Sequence, residues 1–201
     1  MKRLGLTIGF TFLLLILKGE SPVNLGIKFG TNSSSLITNV NEGLNNSNIN
    51  NYFAGAFARL SLGRLYLQPE AYFNTKGGFI GSIDYTTAIN PDLSEVFRYQ
   101  TIDIPILIGI KVINKSMFNF RICAGPVLSY VTVKPAIDDF SNFDINELKN
   151  NYVGIQAGIG VDIWFLTVDA RIENSFNIFN TNSNYSASNR IYLLSAGIKL
   201  F

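Results

Sequence analysis

The clearest pattern in the sequence is an alternation of apolar and polar positions, sharpest in the stretch LTVDARIENSFN at 166–177. The apolar positions of this stretch are Leu166, Val168, Ala170, Ile172 and Phe176. Between them lie Asp169, Arg171 and Glu173, together with uncharged polar residues. Because side chains alternate across a strand, a period of two predicts a β-strand with one apolar and one charged face.

The same period recurs along the chain and predicts eight strands. We place them at 23–30, 52–60, 65–76, 98–113, 118–133, 151–163, 166–177 and 190–201. Short connections follow the second, fourth and sixth strands, and long polar connections follow the first, third, fifth and seventh. This arrangement is typical of outer-membrane barrels, which have short periplasmic turns and long outer loops.

Two positions depart from the regular pattern. Pro69 lies within the third strand and has no backbone N–H to donate, so we expect a bulge or a locally broken pairing there. In the last strand the better apolar face runs through Tyr192 and Leu194, which puts Lys199 and Phe201 on the opposite face. We therefore expect either that the final residue turns outward at the rim or that a bulge shifts the register.

Eight up-and-down strands fit either a soluble ligand-binding barrel of the lipocalin type or a transmembrane barrel. A soluble barrel has an apolar interior, whereas a transmembrane barrel turns its apolar face to lipid. Here the polar faces combine glycines, which suit a crowded interior, with charges of both signs. An Arg or Lys facing lipid would cost about 2–4 kcal/mol at the bilayer midplane. We therefore predict an all-β fold, an eight-stranded antiparallel up-and-down transmembrane β-barrel.

The charged residues on the polar faces are the candidate site. We assign to a lumen ion-pair network the residues Lys28, Arg59, Glu70, Asp103, Lys111, Arg121, Asp162, Asp169, Arg171 and Glu173. Opposite charges on neighbouring strands favour structural ion pairs over a catalytic pair of carboxylates, the alternative for the acidic members. As a working hypothesis, Arg171 is the centre of the network, bracketed by Asp169 and Glu173, with Arg121, Lys111 and Glu70 nearby.

Aromatic residues gather at the ends of the predicted strands. They are Phe73, Tyr99, Phe118, Tyr130, Tyr152, Trp164, Phe165, Phe176, Tyr192 and Phe201. Aromatic residues favour strands in general. Their position at strand ends favours the more specific interpretation, girdles at the two membrane interfaces, where an amphipathic ring lies well at head-group depth.

The N-terminus has the features of a secretion signal. Lys2 and Arg3 precede an apolar run at 4–17, and polar residues follow at 18–21. This run is shorter than the about 20 apolar residues of a spanning helix, which favours a signal peptide over a retained anchor helix. We predict a signal peptide at 1–21, cleaved near 19–21, and an outer-membrane barrel domain at 22–201.

Composition argues against several classes of function. The chain has no histidine, so a Ser-His-Asp arrangement is impossible and we expect no enzyme. Cys123 is the one cysteine, which leaves neither an internal disulfide nor a pair of thiolates for a metal. The acidic residues at 138–147 match no calcium-loop spacing and are better explained as a solvated loop, so we predict no metal and no cofactor. A net charge of +2 without a dense basic cluster argues against nucleic-acid binding.

Several segments resemble a known family. They are NLGIKFG at 24–30, LYLQPEAYFNTKGG at 65–78, YQTIDIPILIGIKV at 99–112, AGPVLSYV at 124–131, VGIQAGIGVDIWFLTVDARIENSF at 153–176 and SAGIKLF at 195–201. With these segments the chain resembles the Bacteroidetes outer-membrane barrels described as PorT-like or as the porin family. The resemblance implies an eight-stranded barrel in the bacterial outer membrane. One branch of those barrels is associated with secretion across that membrane.

Three functions stay open at this point. The best supported is a structural or binding barrel whose long outer loops contact a ligand, another envelope protein or the environment. Its lumen would be filled by ion pairs, because eight strands enclose too little space for a wide pore. The second is an accessory component of a secretion or transport complex, and the third, less favoured, is a soluble lipid-binding barrel. The expected partners are outer-membrane lipid and an envelope protein.

Overall fold

The computed structural model describes residues 23–38, 49–80, 95–133, 149–176, 178 and 187–200. Its strands are β1 (Val23–Thr38), β2 (Ile49–Leu62), β3 (Leu65–Ile80), β4 (Glu95–Asn114), β5 (Phe118–Val133), β6 (Asn151–Ile163), β7 (Leu166–Phe176) and β8 (Ala187–Lys199). Each strand pairs antiparallel with its sequence neighbours, and β8 pairs with β1 to close the barrel. The described part of the chain contains no helix long and apolar enough to cross a membrane. The predicted signal peptide lies outside the described residues.

The alternation in the sequence becomes an alternation of burial. In β7 buried and exposed residues alternate from end to end: Asp169 is 2% exposed and Val168 is 47% exposed. The charged face therefore lines the lumen and the aliphatic face lies outside. This confirms the transmembrane orientation, and the soluble lipid-binding barrel is wrong because it needs an apolar interior.

The outside of the barrel is an apolar belt bounded by charges. Large aliphatic side chains such as Ile108 and Ile155 are more than half exposed on it. The exposed Lys and Arg residues of the described ranges lie in turns or near strand ends; they are Arg64, Arg98, Lys115 and Arg190. Lipid fits between these two charged rims, because charges near an interface cost far less than charges at the midplane.

Several strands extend beyond their predicted bounds on the side of the long connections. β1 continues to Thr38, β2 begins at Ile49, and β3 ends at Ile80. The predicted loops at 31–51, 77–97 and 178–189 are therefore too long. The outward positions of these extensions include Ser33 and Asn50. Above the lipid both faces of a strand can be polar, so the backbone pairing continues where the hydrophobic alternation has ended.

The three short connections are tight hairpins. Residues 63–64 join β2 to β3, residues 115–117 join β4 to β5, and residues 164–165 join β6 to β7. Gly63 and Trp164 adopt the left-handed conformation, with φ of 64° and 55°. For Trp164 this conformation costs about 1–2 kcal/mol. Its ring packs edge-on against Phe165, with the ring centroids 4.9 Å apart.

The pairing of neighbouring strands is irregular in a few places. The β2–β3 ladder is interrupted beside Pro69, and the pairs on either side keep the same register, so the predicted broken pairing is confirmed without a bulge. Register shifts occur instead between β4 and β5, next to Thr101 and Ile113. β8 keeps a constant register against β1 as far as Lys199, and Phe201 lies outside the described residues.

Aromatic side chains fill part of the lumen opposite glycines. They face each other in the register pairs Gly26–Phe57, Gly30–Phe53, Gly55–Tyr72 and Gly109–Tyr66. A Cβ at any of these glycines would come closer to the facing aromatic residue than van der Waals contact allows. These four glycines therefore make room for rings that narrow the lumen.

Candidate functional site

The lumen holds the charged residues that the sequence assigned to it, with one addition. Nine of the ten are buried there: Lys28, Arg59, Glu70, Asp103, Arg121, Asp162, Asp169, Arg171 and Glu173. The tenth, Lys111, is half-buried near the periplasmic end of β4. Lys76 is also buried, which gives five buried cations and five buried carboxylates among the described residues. The charge buried in the described lumen is therefore balanced.

Three ion pairs join opposite walls of the barrel. In a closed ring of eight strands β3 faces β7 and β2 faces β6. The three pairs are Arg171–Glu70, Lys76–Glu173 and Arg59–Asp162, at 2.9, 2.6 and 2.8 Å. Their side chains cross the diameter at the middle, the outer end and the periplasmic end of the lumen, so each pair spans the lumen at its own height.

The central pair is the best-connected part of the lumen. The Arg171 guanidinium donates two hydrogen bonds of 2.9 Å to the two carboxylate oxygens of Glu70. Glu70 also accepts a 2.6 Å hydrogen bond from Lys28 Nζ, and Arg171 lies 3.1 Å from Asp169. Glu173 does not bracket Arg171 as the sequence suggested, because its carboxylate turns to Lys76. The second acid at Arg171 comes from the opposite wall.

The outer pair is part of a small polar cluster. Lys76 Nζ lies 2.6 Å from Glu173 and 3.0 Å from Asp103. Gln156 donates to the second oxygen of Glu173 at 2.9 Å, and Ser175 donates to the first at 3.0 Å. Each carboxylate therefore has at least one charged partner, as a buried carboxylate requires.

The periplasmic pair is linked to the centre through Arg121. Its Nη2 lies 3.0 Å from Asp162 and 2.9 Å from Asp169. Since Asp169 also contacts Arg171, an unbroken series of contacts joins Arg59 to the central pair. Lys199 approaches Asp162 more loosely, at 4.0 Å.

Sequence reasoning left Lys76 out of the network, although a signal for it exists. Lys76 lies six positions from Glu70 on the same face of β3, and strand parity therefore places it in the lumen. It is the last residue of the predicted third strand, on the polar face of that strand, but it is absent from the predicted network. The extension of β3 to Ile80 keeps Lys76 inside the barrel.

A ring at a strand end belongs to the aromatic girdles only where the alternation of side chains along the strand points it outward. Tyr99 and Tyr152, predicted for the girdles, are 1% and 5% exposed in the lumen, with their hydroxyls 3.3 Å apart. The other predicted rings within the described residues are outward and exposed: Phe73, Phe118, Tyr130, Trp164, Phe165, Phe176 and Tyr192. Phe29 and Tyr52 join them and stack with centroids 6.1 Å apart.

The arrangement of the buried charges fits a structural ion-pair network. Every buried carboxylate of the described lumen lies within 3.0 Å of a Lys or Arg nitrogen. These contacts give every buried acid of the described lumen a charged partner, as a structural ion-pair network requires. In the described ranges no group of three or more His, Cys, Asp or Glu residues could hold a metal ion. The acidic residues at 138–147 lie outside those ranges.

Comparison with known proteins gives a family and a fold. Residues 18–181 match the family described as outer membrane protein beta-barrel domain. The outer membrane protein OprG of Pseudomonas aeruginosa is 10% identical, with a TM-score of 0.52 over 88% of this chain and 95% of that chain. Neisserial surface protein A is 11% identical, with a TM-score of 0.49 over 88% and 97%. The attachment invasion locus protein Ail of Yersinia pestis is 9% identical, with a TM-score of 0.47 over 89% and 99%. No curated protein matches the sequence.

Proposed function

The chain belongs to the outer membrane protein beta-barrel domain family of the bacterial outer membrane, and on that premise we propose that it is a closed barrel with a structural or binding role. The three ion pairs that cross the lumen carry this proposal. A barrel blocked at three heights is not built to pass solutes by diffusion, since wide pores need many more strands. Its contacts with other molecules then lie at its surfaces.

The long connections are the proposed contact surface. They follow β1, β3, β5 and β7, on the side opposite the short turns. In barrels of this kind the long loops face the exterior, and loops on a rigid scaffold often carry binding residues. The two longest lie at 81–94 and 134–150, and they are the first choice for mutation.

The test is selective replacement of one loop. Exchanging 136–147 for a short Gly-Asn-Gly linker keeps every strand of the barrel, and the matched control exchanges 164–165 for Asn-Gly in the short turn. After chemical crosslinking on intact cells, we expect the full chain and the short-turn control to retain the same crosslinked molecules and the loop variant to lose them. Heat-modifiable migration shows that both variants fold. Equal crosslinking in all three proteins would contradict a binding role for this loop.

A second candidate is an accessory role in a secretion or transport complex. The observation that favours it is the resemblance of segments such as YQTIDIPILIGIKV at 99–112 to PorT-like barrels. An accessory subunit co-purifies with fixed partners at constant stoichiometry, whereas a barrel that binds an external ligand does not. Purification of the native full-length protein from its own membrane in mild detergent separates the two functions.

A further inference from the structure

A groove runs across the outer face of the barrel, with a volume of about 770 Å³. It crosses five adjacent strands, β6, β7, β8, β1 and β2, between two outward rows of side chains. One row includes Ile159 and Leu194, and the other includes Ile172 and Tyr192. Because Ala157 and Ala170 are small, the groove is deep where they line it. Four strand spacings of about 4.8 Å make it roughly 19 Å long.

The groove rises from the middle of the membrane toward the outer rim. At one end it lies over Gly158, near the middle of β6. At the other end it reaches Asn50, one residue from the start of β2 and beside the long β1–β2 connection. The slope follows from strand tilt, because a line across tilted strands changes height as it goes round the barrel.

The polarity of the groove changes along its length. Its membrane-depth end is lined by aliphatic side chains, and its rim end by the hydroxyls of Thr31 and Ser33 and the amide of Asn50. Above the middle of the groove, Arg190 lies two positions from Tyr192 on the same exposed face of β8. Its Nε donates to Asn174 Oδ1 at 3.3 Å, which holds the guanidinium at the rim.

We propose that this groove binds one acyl chain of a phosphorylated lipid of the outer leaflet, with Arg190 binding the phosphate. An acyl chain is narrow and flexible, and it can follow a curved groove of this length. A guanidinium binds phosphate through paired hydrogen bonds, and Arg190 lies at head-group height. A second barrel is a poorer occupant because its convex wall would bridge the groove without reaching the floor at Ala157 and Ala170.

The test is lipid retention measured by native mass spectrometry of the full-length protein in mild detergent. The probes are dioleoyl phosphatidic acid and dioleoylglycerol, which have the same chains and differ in the phosphate. We expect the wild-type chain to retain one phosphatidic acid. Filling the groove with Ala157→Phe and Ala170→Phe should lower retention of both probes roughly tenfold. Arg190→Gln should remove a preference of roughly tenfold for phosphatidic acid, the effect of one charge-assisted hydrogen bond.

The barrel provides matched controls for both changes. Ala56 and Ala71 are exposed on the lipid side, are paired across β2 and β3, and lie outside the groove, so Ala56→Phe with Ala71→Phe should leave retention unchanged. Arg98→Gln is the control for Arg190, since Arg98 is exposed near the outer end of β4. Equal retention by the groove-filled protein and its control would overturn the proposal. So would a dimer that only the groove-filling pair dissociates, which would assign the groove to a second copy.

Discussion

A charge buried in a narrow lumen needs a partner within hydrogen-bond distance, and Arg171 shows how this protein provides one. Its guanidinium forms a two-bond contact with Glu70 on the opposite wall and a single contact with Asp169 on its own strand. A bidentate contact fixes both side chains in one geometry. At the scale of the residue, the lumen is therefore a set of oriented pairs.

Replacement of Arg171 by Ala should destabilise the barrel strongly. It leaves Glu70 with one cation and Asp169 with one, and breaking a buried pair from one side costs about 3–5 kcal/mol. We expect a clear fall in the unfolding temperature in detergent. The Glu70→Ala, Arg171→Ala double variant should lose less than the sum of the two single variants, because both partners are then absent. Arg190→Ala, on the exposed outer face, is the control, and an equal effect of R171A and R190A would contradict a central role for Arg171.

At the scale of the element, the strands combine a hydrophobic alternation with a second pattern of glycine and aromatic residues. Tyr66 on β3 and Gly109 on β4 face each other, and the ring lies over the space that a Cβ would take. Tyr66 then receives a 3.4 Å hydrogen bond from Arg121. A glycine on one strand thus positions a ring on its neighbour, and the ring positions a member of the charge network.

Gly109→Ala tests this dependence between neighbouring strands. The added methyl group must displace the Tyr66 ring, and overpacking of this kind costs about 1–3 kcal/mol. In a Tyr66→Ala background the space is free, so the same substitution should then cost little. Urea unfolding of the four proteins in lipid vesicles gives the coupling free energy. Additive effects of the two substitutions would show that the ring does not require this glycine.

At the scale of the whole molecule, two rows of charge bound an apolar belt, and ion pairs of balanced charge line the described part of the lumen. The lipid-facing positions tolerate charge only near the rims. Ile108 lies in the middle of the outward face of β4, and Leu62 is 80% exposed beside the β2–β3 turn. Because both positions are exposed, comparing them distinguishes the effect of membrane depth from the effect of exposure.

Ile108→Arg should lower the free energy of unfolding in vesicles by about 2–4 kcal/mol, and Leu62→Arg by about 0–1 kcal/mol. Both changes add the same side chain to an exposed position, so the difference measures depth in the bilayer. Unfolding of the two variants by urea, followed by tryptophan fluorescence, provides the comparison. Equal losses would mean that Ile108 does not face the lipid core.

Conductance tests the closed lumen as a property of the whole barrel. We expect the wild-type protein to show no large steady conductance in planar bilayers, because the three ion pairs cross the lumen. A variant with Glu70, Lys76, Arg171 and Glu173 all changed to Ala removes two of those pairs without changing the net charge. It should show small open events that the wild type lacks. A large steady wild-type conductance would contradict the proposed function.

The sequence by itself determined the number of strands, their order and the face that meets lipid. These features are local, because a period of two marks each strand and the length of each connection marks its side. They include the lumen position of Asp169, Arg171 and Glu173 in β7. The sequence left the strand ends undefined above the membrane, where β1 and β2 have polar residues on both faces and the alternation disappears.

Only the tertiary structure decided which charges meet. Strand parity places a residue in the lumen but does not say how far its side chain reaches. Arg171 pairs with Glu70, which lies on a strand four places away in the ring, and not with Glu173 on its own strand. The register around the closed barrel sets those distances and also places the outer groove. Both depend on how the eighth strand returns to the first, which no local pattern in the chain encodes.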